Sequence, residues 1–190
     1  MIEKLRDALS REEVRSISRR YFISNGFDGT LTSVGIAMGS YLSGVPDGLT
    51  VVQIAVGAAV GLGTSGVWSV WEIERAEKRA EIRTLERAMM TDLDDTSIQR
   101  RKYEGRIVNA AMSGLGPLIG ILVPMTPYLF EGVLFSIAEA TAVAVALGVG
   151  VLFVFGAYMA SFSGLRWYVA GARMGLAGLV VALINVVLPG

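Results

Sequence analysis

Residues 72–106 read EIERAEKRAEIRTLERAMMTDLDDTSIQRRKYEGR, and this stretch holds nine of the seventeen Lys and Arg residues of the 190-residue chain. Outward from it in both directions the chain turns apolar and loses its cations: none occurs in 21–74 or in 107–165. Lys4, Arg6, Arg11, Arg15, Arg19 and Arg20 form a second group, and Arg166 with Arg173 a third, beyond which no cation follows. A domain bathed in water spreads its cations over the whole surface. Confinement to three short stretches is what a bilayer imposes when every cation lies on one side of it.

The composition agrees: 53% of residues are apolar, 18% are charged and 23 are Gly. Five apolar stretches, 21–44, 49–71, 107–130, 133–160 and 167–188, are each long enough to cross roughly 30 Å of hydrocarbon as a helix. The connections 45–48 and 131–132 are short, as for antiparallel neighbours on the side without cations. Five spans place the N-terminus and all three cation groups in the cytoplasm and the C-terminus outside; four or six would strand a group on the wrong side. The expected fold is therefore an all-α integral membrane protein of five transmembrane helices, in a cell membrane or a vacuole-type membrane. Residues 1–20 would be an amphipathic N-terminal helix, 21–71 spans one and two, 72–105 a cytoplasmic helical insert, and 106–190 spans three to five. The N-terminal segment lacks the apolar core of a signal peptide. Ile2, Leu5, Leu9, Val14 and Ile17 recur at helical spacing, which suits either an interfacial helix or a solvated helix docked on the protein.

The formal net charge is zero, so no electrostatic footprint for nucleic acid exists. Cys and His are both absent, which removes thiolate sites, disulfides, the commonest transition-metal ligand and the usual proton shuttle. Metal or proton chemistry falls to Asp, Glu, Met, Asn, Ser, Thr and backbone carbonyls. No nucleophile–base pair, phosphate loop or nucleotide motif occurs. A membrane enzyme using Asp28 and Glu72 with a metal ranks last among the functions considered.

In the insert, Arg75, Arg79, Arg83 and Arg87 form a basic stripe and Glu74, Glu77 and Glu81 an acidic one, on a helix expected to continue the second span past the membrane surface. The run TDLDDTS then predicts a break. Glu74, Glu77, Glu81, Glu86, Asp92 and Asp94 offer oxygen ligands of the kind that suit Mn²⁺, Fe²⁺, Mg²⁺ or Ca²⁺. Glu74 with Lys78 is equally an ordinary i, i+4 pair. Met89 and Met90 are either soft metal ligands or packing residues.

Within the spans, Asp28 is the leading candidate, because carboxylates in lipid are costly and usually functional. Asn25 and Thr32 are its polar neighbours, and Gly26 and Gly29 predict a weakened helix with carbonyls free for a cation. Glu72, beside Trp68 and Trp71, stands at the inner mouth; Met112 stands near the inner end of the third span. Glu139 is expected about two turns inside the fourth span from the outer surface. Pro117, Pro124 and Pro127 predict that the third span is not a regular helix near its outer end. Glycines four apart, at 35 and 39, 57 and 61, 116 and 120, and 171 and 175, fit close helix packing inside one subunit or a dimer seam.

Two strings carry a resemblance. NGFDGTLTSVGI, residues 25–36, resembles the first-span signature of the vacuolar iron transporter family, and GILVPMTPYLF, residues 120–130, is similar to that family's ending of the third span. The resemblance runs from about residue 20 to the end, and this chain looks like a short member with a reduced insert. It implies export of Fe²⁺, often also Mn²⁺, from the cytoplasm in exchange for protons, by a homodimer with an ion path between its subunits. It makes Asp28 the transport aspartate, and Met89-Met90 followed by Asp92 and Asp94 the ligand string of the cytoplasmic metal-binding region. Where the family carries Ser-Met in the second span, this chain has Ser65-Gly66. The expected partners are the bilayer, divalent metal ions, protons and a second copy of the chain, with no permanently bound cofactor. The alternative is a membrane binding or sensing protein that does not transport and uses the insert for interaction.

Overall fold

A computed structural model describes residues 10–90 and 97–188. Among the described residues five long α-helices build the fold: α1 Glu12–Leu42, α2 Gly48–Met89, α3 Ser97–Met125, α4 Ile137–Ser163 and α5 Trp167–Val187, with a 3₁₀ helix at Thr126–Phe130 prolonging α3. No strand occurs among the described residues; a single bridge joins Glu131 and Phe135.

The helix ends follow from local chemistry. Glu12 and Glu13 place acid in the first turn of α1, where the helix dipole favours it. Past Leu42, Gly44 at φ 71° and then Pro46 turn the chain. Asp47 caps α2, its carboxylate accepting from Thr50 N at 2.8 Å and from Thr50 Oγ1 at 2.9 Å. α2 then runs for 42 residues, roughly 63 Å at 1.5 Å per residue, before Met90 takes a left-handed conformation. This is the continuous prolongation of the second apolar stretch that the sequence predicts. The TDLDDTS break falls largely outside the described residues.

α2, α3, α4 and α5 are long and apolar enough to cross a membrane. α1, at 31 residues, is long enough but too polar to meet the same measure. It packs most extensively along α3 and also touches α2, α4 and α5, so the helix richest in Ser, Thr and Asn is covered by the apolar ones on all but one face. Its buried residues include Ser18, Thr30, Ser33 and Ser40. Of the expected N-terminal helix, residues 12–20 form the first part of α1, preceded by a bend at Arg11 and a helical Ser10. Residues 1–9 lie outside the described ones.

Close approach of α1 and α3 depends on glycine. A Cβ at Gly29 would come within 2.6 Å of Pro117 Cα, one at Gly116 within 2.4 Å of Phe22 O, and one at Gly120 within 2.5 Å of Gly26 O. Gly26 and Gly29 are therefore contact points in an unbroken helix, which corrects the expectation of a weakened one. Gly171 packs against Phe153 in the same subunit, whereas a methyl added at Gly35, Gly57 or Gly61 would meet nothing within 4 Å.

The prolines also act differently from expectation. α3 continues through Pro117 and Pro124, and only at Thr126, with Pro127 following, does it tighten into the 3₁₀ helix. Proline removes the hydrogen bond to the carbonyl four residues earlier, and two such carbonyls find side chains. Ser113 O accepts from Asn25 Nδ2 at 3.3 Å, and Val123 O from Thr126 Oγ1 at 2.8 Å. Toward the end without cations, Ala37, Val51, Ala55, Ile121, Tyr128 and Ala144 form the apolar core, with Tyr128 and Thr141 sharing a hydroxyl hydrogen bond of 2.8 Å.

The cation-bearing ends meet. Lys78 pairs with Glu13 at 3.2 Å, Arg11 with Glu104 at 3.1 Å, and Arg19 lies over the Phe162 ring, four residues before Arg166.

Candidate functional site

One polar chain crosses the bundle between α1, α3 and α2. Asn25 Nδ2 donates to the hydroxyl and carbonyl of Ser113, and Ser113 Oγ donates to Gly66 O at 2.9 Å. The sequence named Asn25 but missed Ser113. Its signal was available: it stands four residues before Pro117, so its carbonyl must look outside its own helix.

One turn beyond Asn25 lies Asp28, about 10 Å along α1 from Tyr21. It is exposed on the outside of the bundle, and nothing among the described residues pairs with its carboxylate. Thr32, half-buried, bonds only to the Asp28 backbone carbonyl, at 2.8 Å. Neighbouring hydroxyls on the inner face are used up locally: Thr30 Oγ1 donates to Gly26 O at 2.7 Å and Ser33 Oγ to Thr30 O at 2.7 Å. The Gly26 carbonyl is thus occupied rather than free for a cation.

Glu74, just past the second apolar stretch, is 1% exposed. Tyr21 donates its hydroxyl to Glu74 Oε1 at 3.5 Å, while Glu74 Oε2 and Asn109 Oδ1 have no hydrogen-bond partner among the described residues. Burial pushes the Glu74 carboxyl up, opposed chiefly by the Lys78 charge and the Asn109 amide. Met112, on α3 one turn past Asn109, is half-buried. Arg106 lies 3.9 Å over the Trp71 ring, with its Nε buried and without a hydrogen-bond partner among the described residues. Tyr21 and Arg106 were not singled out from the sequence.

The acidic stripe does not form one site. Glu74 is buried against α1 and α3, Glu77 is exposed, and Glu81 joins Lys78 at 3.5 Å and Lys102 more closely still, which holds its carboxyl below the usual range. No group of three carboxylates able to hold a metal occurs among the described residues. Within one chain these three carboxylates are therefore held apart: Glu74 points into the bundle, Glu77 out to the surface, and Lys78 and Lys102 take up Glu81. Glu86 is half-buried, Met89 and Met90 are exposed, and Asp92 and Asp94 lie outside the described residues. Glu72 pairs with Arg75 at 3.6 Å on the surface, an interaction worth little in water.

Glu139 needs a correction of place. The fourth helix starts at Ile137, not 133, so Glu139 sits in its exposed first turn rather than two turns inside. There it closes a capping box, accepting from Ser136 N and Oγ at 2.8 Å each, while Ser136 Oγ accepts from Glu139 N at 3.4 Å.

A family model described as the VIT family matches residues 67–188, from the middle of α2 through α5. An uncharacterized protein of Methanocaldococcus jannaschii is 23% identical over 168 residues, covering 87% of this chain and 85% of that protein.

Proposed function

Because the chain belongs to the VIT family, a family of membrane metal transporters, and is an integral multi-pass membrane protein, we propose that it exports Fe²⁺ or Mn²⁺ from the cytoplasm in exchange for protons, as a homodimer. The observation that carries this reading is the unpaired Asp28 carboxylate on the outside of the central polar helix. A carboxylate facing hydrocarbon costs about 3 kcal/mol near the middle of a span. A bound divalent ion, a proton or a second subunit offsets that cost, and an exchanger needs the first two in alternation. A second copy set against α1 would bring two Asp28 side chains to one seam.

In this reading α1 is a fifth span, tolerated despite its polarity because the other four helices bury Ser18, Thr30, Ser33 and Ser40 and leave only one face outward. The meeting of all three cation groups at one end of the bundle supports a cytoplasmic N-terminus and an external C-terminus. The projecting half of α2 is the cytoplasmic insert. Since no three carboxylates converge among the described residues of one chain, capture of the ion draws on Glu77, Glu86, Met89 and Met90, with Asp92 and Asp94, from two subunits.

Uptake of Fe²⁺ and Mn²⁺ into proteoliposomes, at two pH gradients, tests the proposal. Asp28→Asn, which keeps the size and removes the charge, is expected to abolish metal-driven proton movement. Unchanged flux in that variant would remove Asp28 from the path, and no flux in the unaltered protein would favour a binding or sensing role.

A further inference from the structure

We propose that the groove between α1, α4 and α5 at the cation-bearing end binds an anionic phospholipid, with its acyl chain in the groove and its phosphate at Arg19 and Arg20. The groove encloses about 570 Å³, and its floor is apolar: Ile23 and Phe27 from α1, Met159 from α4 and Met174 from α5. Across its cytoplasmic rim lies a second cavity of about 630 Å³ with the opposite character, lined by Ser10, Glu12, Glu13 and Arg15. Ser16, Arg19 and Phe162 line both spaces, so they form the wall between an apolar chamber and a polar one. An amphiphile has that division built into it.

The wall is charged for a phosphate. The Arg19 guanidinium lies 3.5 Å from the centroid of the Phe162 ring, which fixes its plane and leaves its N–H edges for an acceptor. Neither Arg19 nor Arg20 forms an ion pair among the described residues, although Glu12 and Glu13 line the polar chamber beside Arg19; Arg20 lies 5.6 Å over the Tyr21 ring. Glu13 is engaged by Lys78. In the polar chamber Arg15 and Arg19 then outnumber the remaining Glu12, and Arg20 adds a third positive charge from the groove side, so the rim favours an anion. Depth agrees as well: these arginines precede the first apolar stretch, at the level where a leaflet presents its headgroups.

The test uses the full chain in mild detergent, with native mass spectrometry after addition of phosphatidylglycerol or phosphatidylcholine. The unaltered protein is expected to retain phosphatidylglycerol about 25-fold better, two arginines contributing roughly fivefold each. Arg19→Gln with Arg20→Gln removes that preference. Ser24→Trp, a change at an exposed position lining the groove, fills the acyl chamber and removes retention while both arginines remain. Equal retention of the two lipids by the unaltered protein overturns the proposal, as does undiminished phosphatidylglycerol retention in Ser24→Trp. Loss of a dimer in Ser24→Trp with lipid retention unchanged overturns it in favour of a second copy as the occupant.

Discussion

Gly120→Ala puts the α1–α3 contact to a quantitative test. The new methyl would lie 2.5 Å from Gly26 O, 2.7 Å from Thr30 Oγ1 and 2.9 Å from Thr30 N. Two of those three atoms are backbone and cannot rotate away, so the helices must part. Parting also loosens the neighbouring contacts of Gly116 with Phe22 and Gly29 with Pro117. Overpacking costs about 1–3 kcal/mol, and backbone opposition places this case near the upper value. Alanine returns up to about 1 kcal/mol through helix propensity, leaving a net loss of about 2 kcal/mol. For a chain of this length that is a fall in Tm of roughly 4–8 °C. Gly150→Ala is the control: it lies in mid-α4, its added methyl would meet nothing within 4 Å, and it keeps only the propensity gain. Thermal unfolding of both variants in detergent, followed by tryptophan fluorescence, reads the difference. A Gly120→Ala protein that melts at or above Gly150→Ala would refute the close approach.

Glu74→Gln should change the pH dependence of stability in metal-free buffer. The folded carboxyl holds its proton to a higher pH than the unfolded one, so its contribution is whole below about pH 4 and is lost as pH rises through the folded value. The Gln variant is expected to gain stability relative to the unaltered protein between pH 4 and 8; parallel melting curves across that range would refute the burial argument. Ser136→Ala and Glu139→Ala should each cost about 1 kcal/mol, a Tm fall of roughly 2–4 °C. Because they break one capping box, the double variant should lose little more than either alone, and full additivity would contradict the reciprocal geometry.

Most of the helical layout was legible because hydropathy and charge report it directly. The apolar stretches mark the membrane-crossing parts of α2 through α5, and unbroken periodicity past residue 71 marks the long α2. What misled was local chemistry read without partners. Gly26 and Gly29 suggest a weak helix until α3 is set against them, and Pro117 suggests a break until Asn25 takes up the freed carbonyl. Glu139 reads as an intramembrane acid because the apolar run begins before the helix does; Ser136 three residues earlier was the capping signal. The acidic stripe fails for another reason. Helical spacing places Glu74, Glu77 and Glu81 on one face, but it does not say that only Glu74 packs inward while Glu77 stays exposed and Glu81 is taken by lysines.

The glycine contacts and the Asn25–Ser113 bond have a mechanical consequence. They lock α1 to α3 at van der Waals distance over Gly26, Gly29, Gly116 and Gly120. A helix so held cannot swivel about its own axis to swing Asp28 from one side of the membrane to the other. In the proposed exchange the aspartate is then a fixed post, and alternation in its access would come from the scenery moving past it: an opposing subunit, or α2 levered by its long cytoplasmic half.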